Sequence, residues 1–328
     1  MERLYLIIFA IIFFAMLTVP LISIKDSGEN LKIKENQSAF SSQTTTLKPK
    51  SENIVKIFLS DEKKIKEISK EEYLVGVVLC EMDESYPDEA LKAQAVAANT
   101  LLIKKREQNA SKKYDITDDF SIDQGYLTPE KRAKKYQKVL EKLEKRAKSV
   151  VKSVKNEAIY YKNEPILALY HDTSGGKTEN AKDIWGGDYP YLVSVNSVSD
   201  LLNPAYLSTV TYSKSDFENL LKNFSVKFSK DKSKYIGEAK RTNSGTVKEI
   251  TIGGKTFTGQ KLREIFSLRS ANFDLKFEED KFVFTVRGYG HGVGMSQFGA
   301  KSMAKDGSDY KEILEWYYKG CKVKERSF

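Results

Sequence analysis

The stretch that decides the fold reads Ser69-Lys-Glu-Glu-Tyr-Leu-Val-Gly-Val-Val-Leu-Cys-Glu81. Ser69 followed by Glu72 has the spacing of a capping box, which predicts a helix with an apolar body. A second helix begins at Ser85-Tyr-Pro-Asp88, because proline is favoured in the first turn of a helix. Its apolar residues recur with a helical period at Leu91, Ala95, Ala98 and Leu102. Two helices with so short a connection predict a helical hairpin.

Outside this hairpin the sequence mixes strand-like and helix-like segments without a regular repeat. Alternating runs predict strands at Ile54–Ser60, Glu157–Tyr161, Ile166–His171, Tyr191–Val195, Thr246–Phe257 and Phe273–Val286. Charged or amphipathic runs predict helices at Pro129–Ser149, Gln260–Leu268 and Ser296–Lys305, with Ser215 as the cap of another helix. The predicted class is α+β: one domain of mixed helices and antiparallel strands, with or without a smaller second lobe.

The N-terminal region indicates where the protein resides. The uncharged run from Leu4 to Ile24 is long enough to span a bilayer as a helix. No small-x-small cleavage site follows, so a retained signal anchor is favoured over a cleaved signal peptide. Residues 26–52 are polar and predict a flexible linker. We therefore expect a transmembrane anchor at residues 1–25 and an extracytoplasmic domain at residues 53–328 of a single-pass cell-membrane protein.

The charge balance narrows the class of partner. The formal net charge is +9, which favours a polyanionic partner such as nucleic acid, an anionic membrane or an acidic wall polymer. The lysines are scattered and no nucleic-acid motif is present, so we expect no nucleic acid partner. A solvated basic surface is the alternative. Cys80 lies in an apolar run and is interpreted as a small buried residue, while its pairing with Cys321 stays open.

Glu81 is the first candidate for chemistry. It is the single carboxylate in the apolar window Tyr73–Met82, and burial disfavours the charged form of a carboxyl and raises its pKa. A carboxyl of this kind suits a general acid near neutral pH. The alternative is a helix-terminal Glu that points to solvent. The nearby Asp83 and Glu84 are interpreted mainly as turn residues.

Two further stretches combine glycines with polar groups. The second glycine-rich loop in chain order reads Val286-Arg-Gly-Tyr-Gly-His-Gly-Val-Gly-Met-Ser-Gln-Phe-Gly299 and holds one of the two histidines of the chain. The first glycine-rich loop, His171-Asp-Thr-Ser-Gly-Gly-Lys-Thr-Glu-Asn180, offers hydroxyls, amides and a lysine, which suit sugar hydroxyls and carboxylates. We expect close approach of a ligand to the backbone to explain the glycines, with a tight structural turn as the alternative.

Taken together, these motifs resemble the stage II sporulation protein D family. The resemblance rests on Glu81-Met82, Tyr86-Pro-Asp-Glu-Ala-Leu-Lys-Ala-Gln-Ala-Val-Ala-Ala98, the stretch from His171 to Asn180, and Arg287-Gly-Tyr-Gly-His-Gly-Val-Gly-Met-Ser-Gln-Phe-Gly-Ala300. It covers the chain from about residue 53 onward, in order. The resemblance implies a peptidoglycan lytic transglycosylase that acts in forespore engulfment, with residues 53–328 as its catalytic domain.

The family carries its catalytic glutamate at the position of Glu81. The resemblance implies that Glu81 protonates the bond between N-acetylmuramic acid and N-acetylglucosamine and then helps to close a 1,6-anhydro ring. It also implies glycan strands as substrate, the space between mother cell and forespore membranes as location, and a complex with the sporulation amidase (stage II protein P) and stage II protein M. The alternatives are a non-catalytic glycan-binding scaffold and a muramidase-type hydrolase that uses Glu81 with Glu84.

Two departures from the family pattern affect these expectations. Asn99 stands where relatives often have an arginine, and this is the main support for the scaffold alternative. The segment Asp115–Gln124 has no Cys or His, although some relatives place a zinc cluster there. We therefore expect neither zinc nor another cofactor.

We expect both glycine-rich loops to line one groove together with Glu81. The predicted substrate-binding residues are Ser174, Gly175, Gly176, Lys177, Thr178, Asn180, Tyr289, His291 and Gln297. His291 would orient substrate or support Glu81 rather than bind a metal, because no second ligand lies near it in sequence.

The anchor leads to a first testable prediction. Leu4–Ile24 should remain attached to the mature protein, because no cleavage motif follows it. N-terminal sequencing of protein extracted from membranes should find the start of the chain, and a mature terminus beyond Ile24 would contradict the anchor.

Overall fold

A computed structural model describes residues 53–325 of the protein. The predicted anchor and linker lie outside the described residues. Among residues 53–325, no helix combines the length and apolar character needed to cross a bilayer. The described α-helices are α1 Lys70–Glu81, α2 Asp88–Gln108, α3 Pro129–Tyr136, α4 Leu140–Ser153, α5 Ala181–Trp185, α6 Lys214–Leu221, α7 Gly259–Ile265, α8 Gln297–Lys305 and α9 Tyr310–Tyr317.

The strands within residues 53–325 form five small sheets. In chain order they are β1 Ile54–Leu59, β2 Lys64–Ser69, β3 Ile116–Thr117, β4 Glu157–Tyr161, β5 Glu164–Pro165, β6 Tyr170–His171, β7 Leu207–Ser213, β8 Lys240–Arg241, β9 Val247–Ile252, β10 Lys255–Thr258, β11 Phe273–Glu278, β12 Lys281–Arg287, β13 Met295–Ser296 and β14 Lys322–Glu325. The sheet orders are β2-β1-β3, β10-β9-β8, β11-β12-β7, β13-β6 and β14-β4-β5. The α+β prediction is confirmed, although β1 pairs in parallel with β3 and β6 with β13.

The helical hairpin forms the centre of the first hydrophobic core. The Ser69 side chain caps α1 by accepting a hydrogen bond from Glu72 N at 3.1 Å. Helix α2 is enclosed along most of its length, and its alanines let neighbouring segments pack closely against it. This core holds the end of α1 at a fixed place, and that end is Glu81.

A second hydrophobic core is built mainly from aromatic side chains of residues 217–286. The Phe217 ring of α6 stacks on Phe282 of β12 with centroids 3.7 Å apart, and on Phe266 at 4.6 Å. Offset aromatic pairs add stabilisation beyond the apolar area that they bury. The predicted hairpin Phe273–Val286 is the β11–β12 pair of this region.

Four predicted elements need correction. The predicted helix Pro129–Ser149 is interrupted, because Gln137 has φ of 46° and ends α3 before α4 starts. Ile166–His171 is a strand only at its end, in β6. Tyr191–Val195 is irregular, since Leu192 N bonds back to Tyr189 O in a turn. The cap of α6 is Ser213 rather than Ser215, because Ser213 Oγ accepts the bond from Asp216 N.

We expect truncation of Phe217, the central ring of the aromatic core, to lower the stability of the fold strongly. Phe217→Ala should lower the free energy of unfolding by about 3–5 kcal/mol, because it leaves a cavity between stacked rings. Leu220→Ala on the same helix, where the side chain is 40% exposed, is the matched control and should cost far less. Equal losses in denaturant titrations of the two variants would contradict this assignment of the core.

Candidate active site

Glu81 is the last residue of α1 and lies in a cleft of about 390 Å³. Its carboxyl accepts hydrogen bonds from two distant parts of the chain and lies close to a third. Gly125 N donates to Oε1 at 3.1 Å, and the Gln297 amide at the start of α8 donates to Oε2 at 3.1 Å. The hydroxyl of Tyr170 in β6 lies 3.5 Å from Oε1.

The environment of Glu81 favours its uncharged form. Burial raises the pKa of the Glu81 carboxyl, and the hydrogen bonds from Gln297 and Gly125 oppose part of that rise. Both donors are uncharged groups. Glu81 is therefore a carboxyl with a raised pKa that already has donors in place for the carboxylate that proton transfer would leave.

A chain of polar side chains behind Glu81 fixes its donors. Tyr170 donates to Gln124 Oε1 at 2.7 Å, and Gln124 Nε2 in turn donates to the hydroxyl of Tyr73. On the other side, the Gln297 amide also reaches Gln94 Oε1 at 3.3 Å. Buried polar networks of this kind restrict side-chain rotation when their members are paired.

Four residues around Glu81 were not predicted from the sequence: Tyr170, Gln124, Gln94 and Gly125. Gln94 lies inside the α2 motif, where its polar side chain among alanines is a signal that could have been used. Tyr170 reads as an ordinary strand residue. Gly125 is required by close approach, since a Cβ there would lie 2.8 Å from Cys80 Sγ and 3.0 Å from Glu81 Oε1.

The second glycine-rich loop lines the cleft as predicted in position. Tyr289, Gly290, His291 and Gln297 all contribute to the cleft that holds Glu81. At Gly290, however, the alternative of turn and packing geometry accounts for the glycine. Its φ is 110°, and a Cβ would lie 2.7 Å from that of His171.

Both histidines are held uncharged beside the cleft. Burial lowers the pKa of His171 to about 3 and that of His291 to about 4. His291 Nδ1 accepts a hydrogen bond from Val293 N at 3.1 Å, whereas His171 Nδ1 lies 3.2 Å from Val293 O and must donate to it. His171 Nε2 is buried and has no hydrogen-bond partner among the described residues.

The first glycine-rich loop does not line the cleft that holds Glu81 beyond its first residues. His171 and Asp172 line the cleft, but residues 174–180 do not. Ser174 N donates to the buried Asp200 carboxylate at 2.8 Å, and Thr178 Oγ1 accepts from Val195 N at 2.9 Å. These polar groups are engaged within the protein.

The rest of this loop faces a second, smaller cavity. Gly176 N donates to Ser174 Oγ at 3.1 Å, and the Asn180 side chain bonds to Asp183 at the start of α5. The small cavity is lined by residues that include Ser174, Gly175, Lys177, Gly290 and His291. The loop thus supports the cleft-lining segment from behind, while its predicted contact with substrate remains a prediction.

Several other residues considered in the sequence do not line the cleft that holds Glu81. Asn99 is buried, and its amide donates to Glu157 O in β4 at 2.9 Å. Asp83 and Glu84 do not line the cleft, and Asp83 accepts from Ser85 N at 2.7 Å.

Cys80 lines the cleft and is only partly buried, which corrects its interpretation as a core residue. Both Cys80 and Cys321 are free thiols. Within residues 53–325, no three His, Cys, Asp or Glu side chains are grouped so that they could hold a metal ion.

The raised pKa of Glu81 predicts a pH-dependent cost in stability. The folded state holds the Glu81 proton more tightly than the unfolded state, so this group destabilises the fold as pH rises above its unfolded value, near 4.5. Glu81→Gln should therefore be more stable than wild type at pH 8, and the difference should shrink toward pH 4. Thermal melts of both proteins across this range test the prediction, and a wild type that is more stable at pH 8 would contradict it.

Comparisons with known proteins show which family the chain belongs to. A family model described as Stage II sporulation protein matches residues 60–161. The chain is 34% identical to Stage II sporulation protein D of Bacillus subtilis (strain 168), over 94% of this chain and 91% of the relative. It is also 34% identical to the protein of that name in Bacillus amyloliquefaciens, over 83% and 78%. Amidase enhancer of Bacillus subtilis (strain 168) is 26% identical over 75% of this chain and 39% of its own length. The chain therefore belongs to the stage II sporulation protein D family.

Proposed function

We propose that the protein is a peptidoglycan lytic transglycosylase that acts during sporulation. The observation that carries the proposal is the partly buried Glu81 carboxyl, which lies at a cleft, has a pKa raised by burial and accepts hydrogen bonds from uncharged donors. Family membership supports a sporulation role at the cell wall. The cleft volume is in the range of sites that bind small ligands or segments of a polymer.

The proposed reaction uses Glu81 twice. In the first step Glu81 gives its proton to the glycosidic oxygen between N-acetylmuramic acid and N-acetylglucosamine, and the bond from the muramic C1 to that oxygen breaks. The Glu81 carboxylate that results is stabilised by Gly125 N and the Gln297 amide. In the second step it accepts the proton of the muramic C6 hydroxyl while the C6 oxygen bonds to C1.

This sequence of steps restores Glu81 and requires no water. An attack by a hydroxyl of the same sugar gains from proximity, so a second carboxylate is not needed as nucleophile. The product carries a 1,6-anhydro ring on muramic acid.

A muramidase-type hydrolase is the second candidate, and one observation keeps it open. Hydrolysis by two carboxylates needs a partner for Glu81 in the same cleft. Glu84 does not line the cleft, but Asp172 does, and its Oδ1 accepts a hydrogen bond from Thr173 Oγ1 at 2.5 Å. The scaffold alternative loses its main support, because Asn99 is buried against β4 and does not line the cleft.

The cellular setting belongs to the same proposal. Leu4–Ile24 would anchor the protein in the membrane, with residues 53–328 facing the glycan between the mother cell and forespore membranes during engulfment. The similarity to an amidase enhancer is compatible with a partner amidase. A complex with the sporulation amidase (stage II protein P) and stage II protein M is part of this proposal.

Mass spectrometry of digested glycan strands tests the reaction. Full-length wild-type protein should release fragments that end in 1,6-anhydromuramic acid. Glu81→Gln keeps the shape of the side chain but has no proton to transfer, so cleavage should fall by at least about 100-fold. Asp83→Asn, in the adjacent turn and outside the cleft, is the matched control and should cleave normally.

The products separate the candidates. Reducing-end muramic acid in place of anhydro ends would identify the hydrolase, and Asp172→Asn would then also be inactive. Binding of glycan without any cleavage would identify the scaffold. Near wild-type turnover by folded Glu81→Gln would remove Glu81 from the mechanism.

A further inference from the structure

Three large aromatic side chains are exposed at the cleft that holds Glu81. Phe120 and Tyr289 line the cleft, and Trp185 lies beside it with its ring centroid 5.2 Å from that of His291. The exposed fractions are 85% for Phe120, 50% for Trp185 and 47% for Tyr289. Contiguous exposed apolar surface at a cleft marks a binding surface more often than isolated exposed residues do.

The Phe120 ring is presented by a loop that the protein holds firmly. This loop runs from β3 to α3. Thr117 N donates to Asp123 Oδ2 at 2.8 Å, and Asp123 Oδ1 lies 2.5 Å from Lys105 Nζ. Asp118 Oδ1 accepts from Ser60 N at 2.8 Å. These bonds fix the backbone on both sides of Phe120. The folded loop therefore holds the Phe120 ring in an exposed position.

The other two rings are also fixed in place. Tyr289 N donates to Thr173 O at 2.7 Å, and the guanidinium of Arg269 lies 5.4 Å from the Tyr289 ring. Trp185 ends the short helix α5 and meets His291 edge to face. Rigid aromatic side chains lose little conformational entropy when they bind a ligand.

We propose that Phe120, Trp185 and Tyr289 are stacking platforms for the sugar rings of a glycan strand, so that sugars on either side of the cleaved bond are bound. This inference rests on the proposed function. A pyranose ring has an apolar C–H face and a polar edge, which matches exposed rings around a cleft whose polar groups include Glu81 and Gln297. A purely apolar ligand would leave these polar groups without partners.

The chain contains a natural reporter for this contact. Its two tryptophans are Trp185 and Trp316, so Trp316→Phe leaves Trp185 as the single tryptophan. Full-length Glu81→Gln, Trp316→Phe protein should be titrated with linear β-1,4-linked N-acetylglucosamine oligomers and with purified glycan strands. We expect saturable changes in Trp185 emission, and no such change in a Trp185→Phe protein that keeps Trp316.

Affinity measured by calorimetry identifies the role of Phe120. In the Glu81→Gln background, Phe120→Ala should weaken glycan binding about tenfold, and Phe120→Tyr should retain it. Phe120→Leu keeps an apolar side chain without a ring and should be weakened like Phe120→Ala. Leu202→Ala is the matched control, because Leu202 is 77% exposed and does not line the cleft. Circular dichroism of each variant confirms its folding.

The outcomes distinguish this inference from the proposed function. Glycan binding that is unchanged by Phe120→Ala, or a silent Trp185, would overturn the stacking platforms and leave the transglycosylase proposal standing. Full affinity in Phe120→Leu would also overturn stacking, and would show that an apolar contact with the glycan is enough without a ring. If neither oligomers nor glycan strands bind the parental protein, both the inference and the proposed function fail.

Discussion

The site depends on one constraint: the Glu81 carboxyl must lose contact with water without gaining a charged partner. Water would lower its pKa toward the ordinary value, and a nearby cation would lower it further. The protein meets this constraint with uncharged donors, namely Gly125 N and the Gln297 amide. These groups come from positions that are far apart in the chain, so the carboxyl can be protected only after the whole core has assembled.

The Gln297 amide, one of the donors to Glu81, is held in position by hydrogen bonds at the start of α8. Ser296 Oγ caps α8 by accepting from Gly299 N at 3.2 Å and also donates to Asp200 Oδ1 at 2.8 Å. Asp200 in turn accepts from Ser174 N. One buried carboxylate therefore joins the first glycine-rich loop to the helix that carries the amide donor. The loop is thus connected to Glu81 through Asp200 and α8, a long-range link that no local pattern in the sequence could predict.

The sequence predicts helices and residues that carry a local pattern, but not contacts between residues that are far apart in the chain. Helices α1 and α2 follow from capping and apolar period, and Glu81 stands out because it is the single carboxylate in an apolar window. The groups around Glu81 could not be found in this way, because an ordinary tyrosine and a glycine after an acidic loop carry no local pattern. Even the glycine-rich motif is ambiguous in sequence, since a glycine required by packing and one required by a ligand look the same.

The charge state of the two histidines beside the cleft also affects the Glu81 carboxyl. A protonated imidazole beside the cleft would attract the Glu81 carboxylate and favour loss of its proton before substrate arrives. Burial prevents this, because the pKa of His171 is near 3 and that of His291 near 4, so neither carries charge at neutral pH. The same burial that raises the pKa of Glu81 thus also keeps the neighbouring histidines neutral. The two effects support each other, so the raised pKa of Glu81 depends on the cleft as a whole rather than on any one residue.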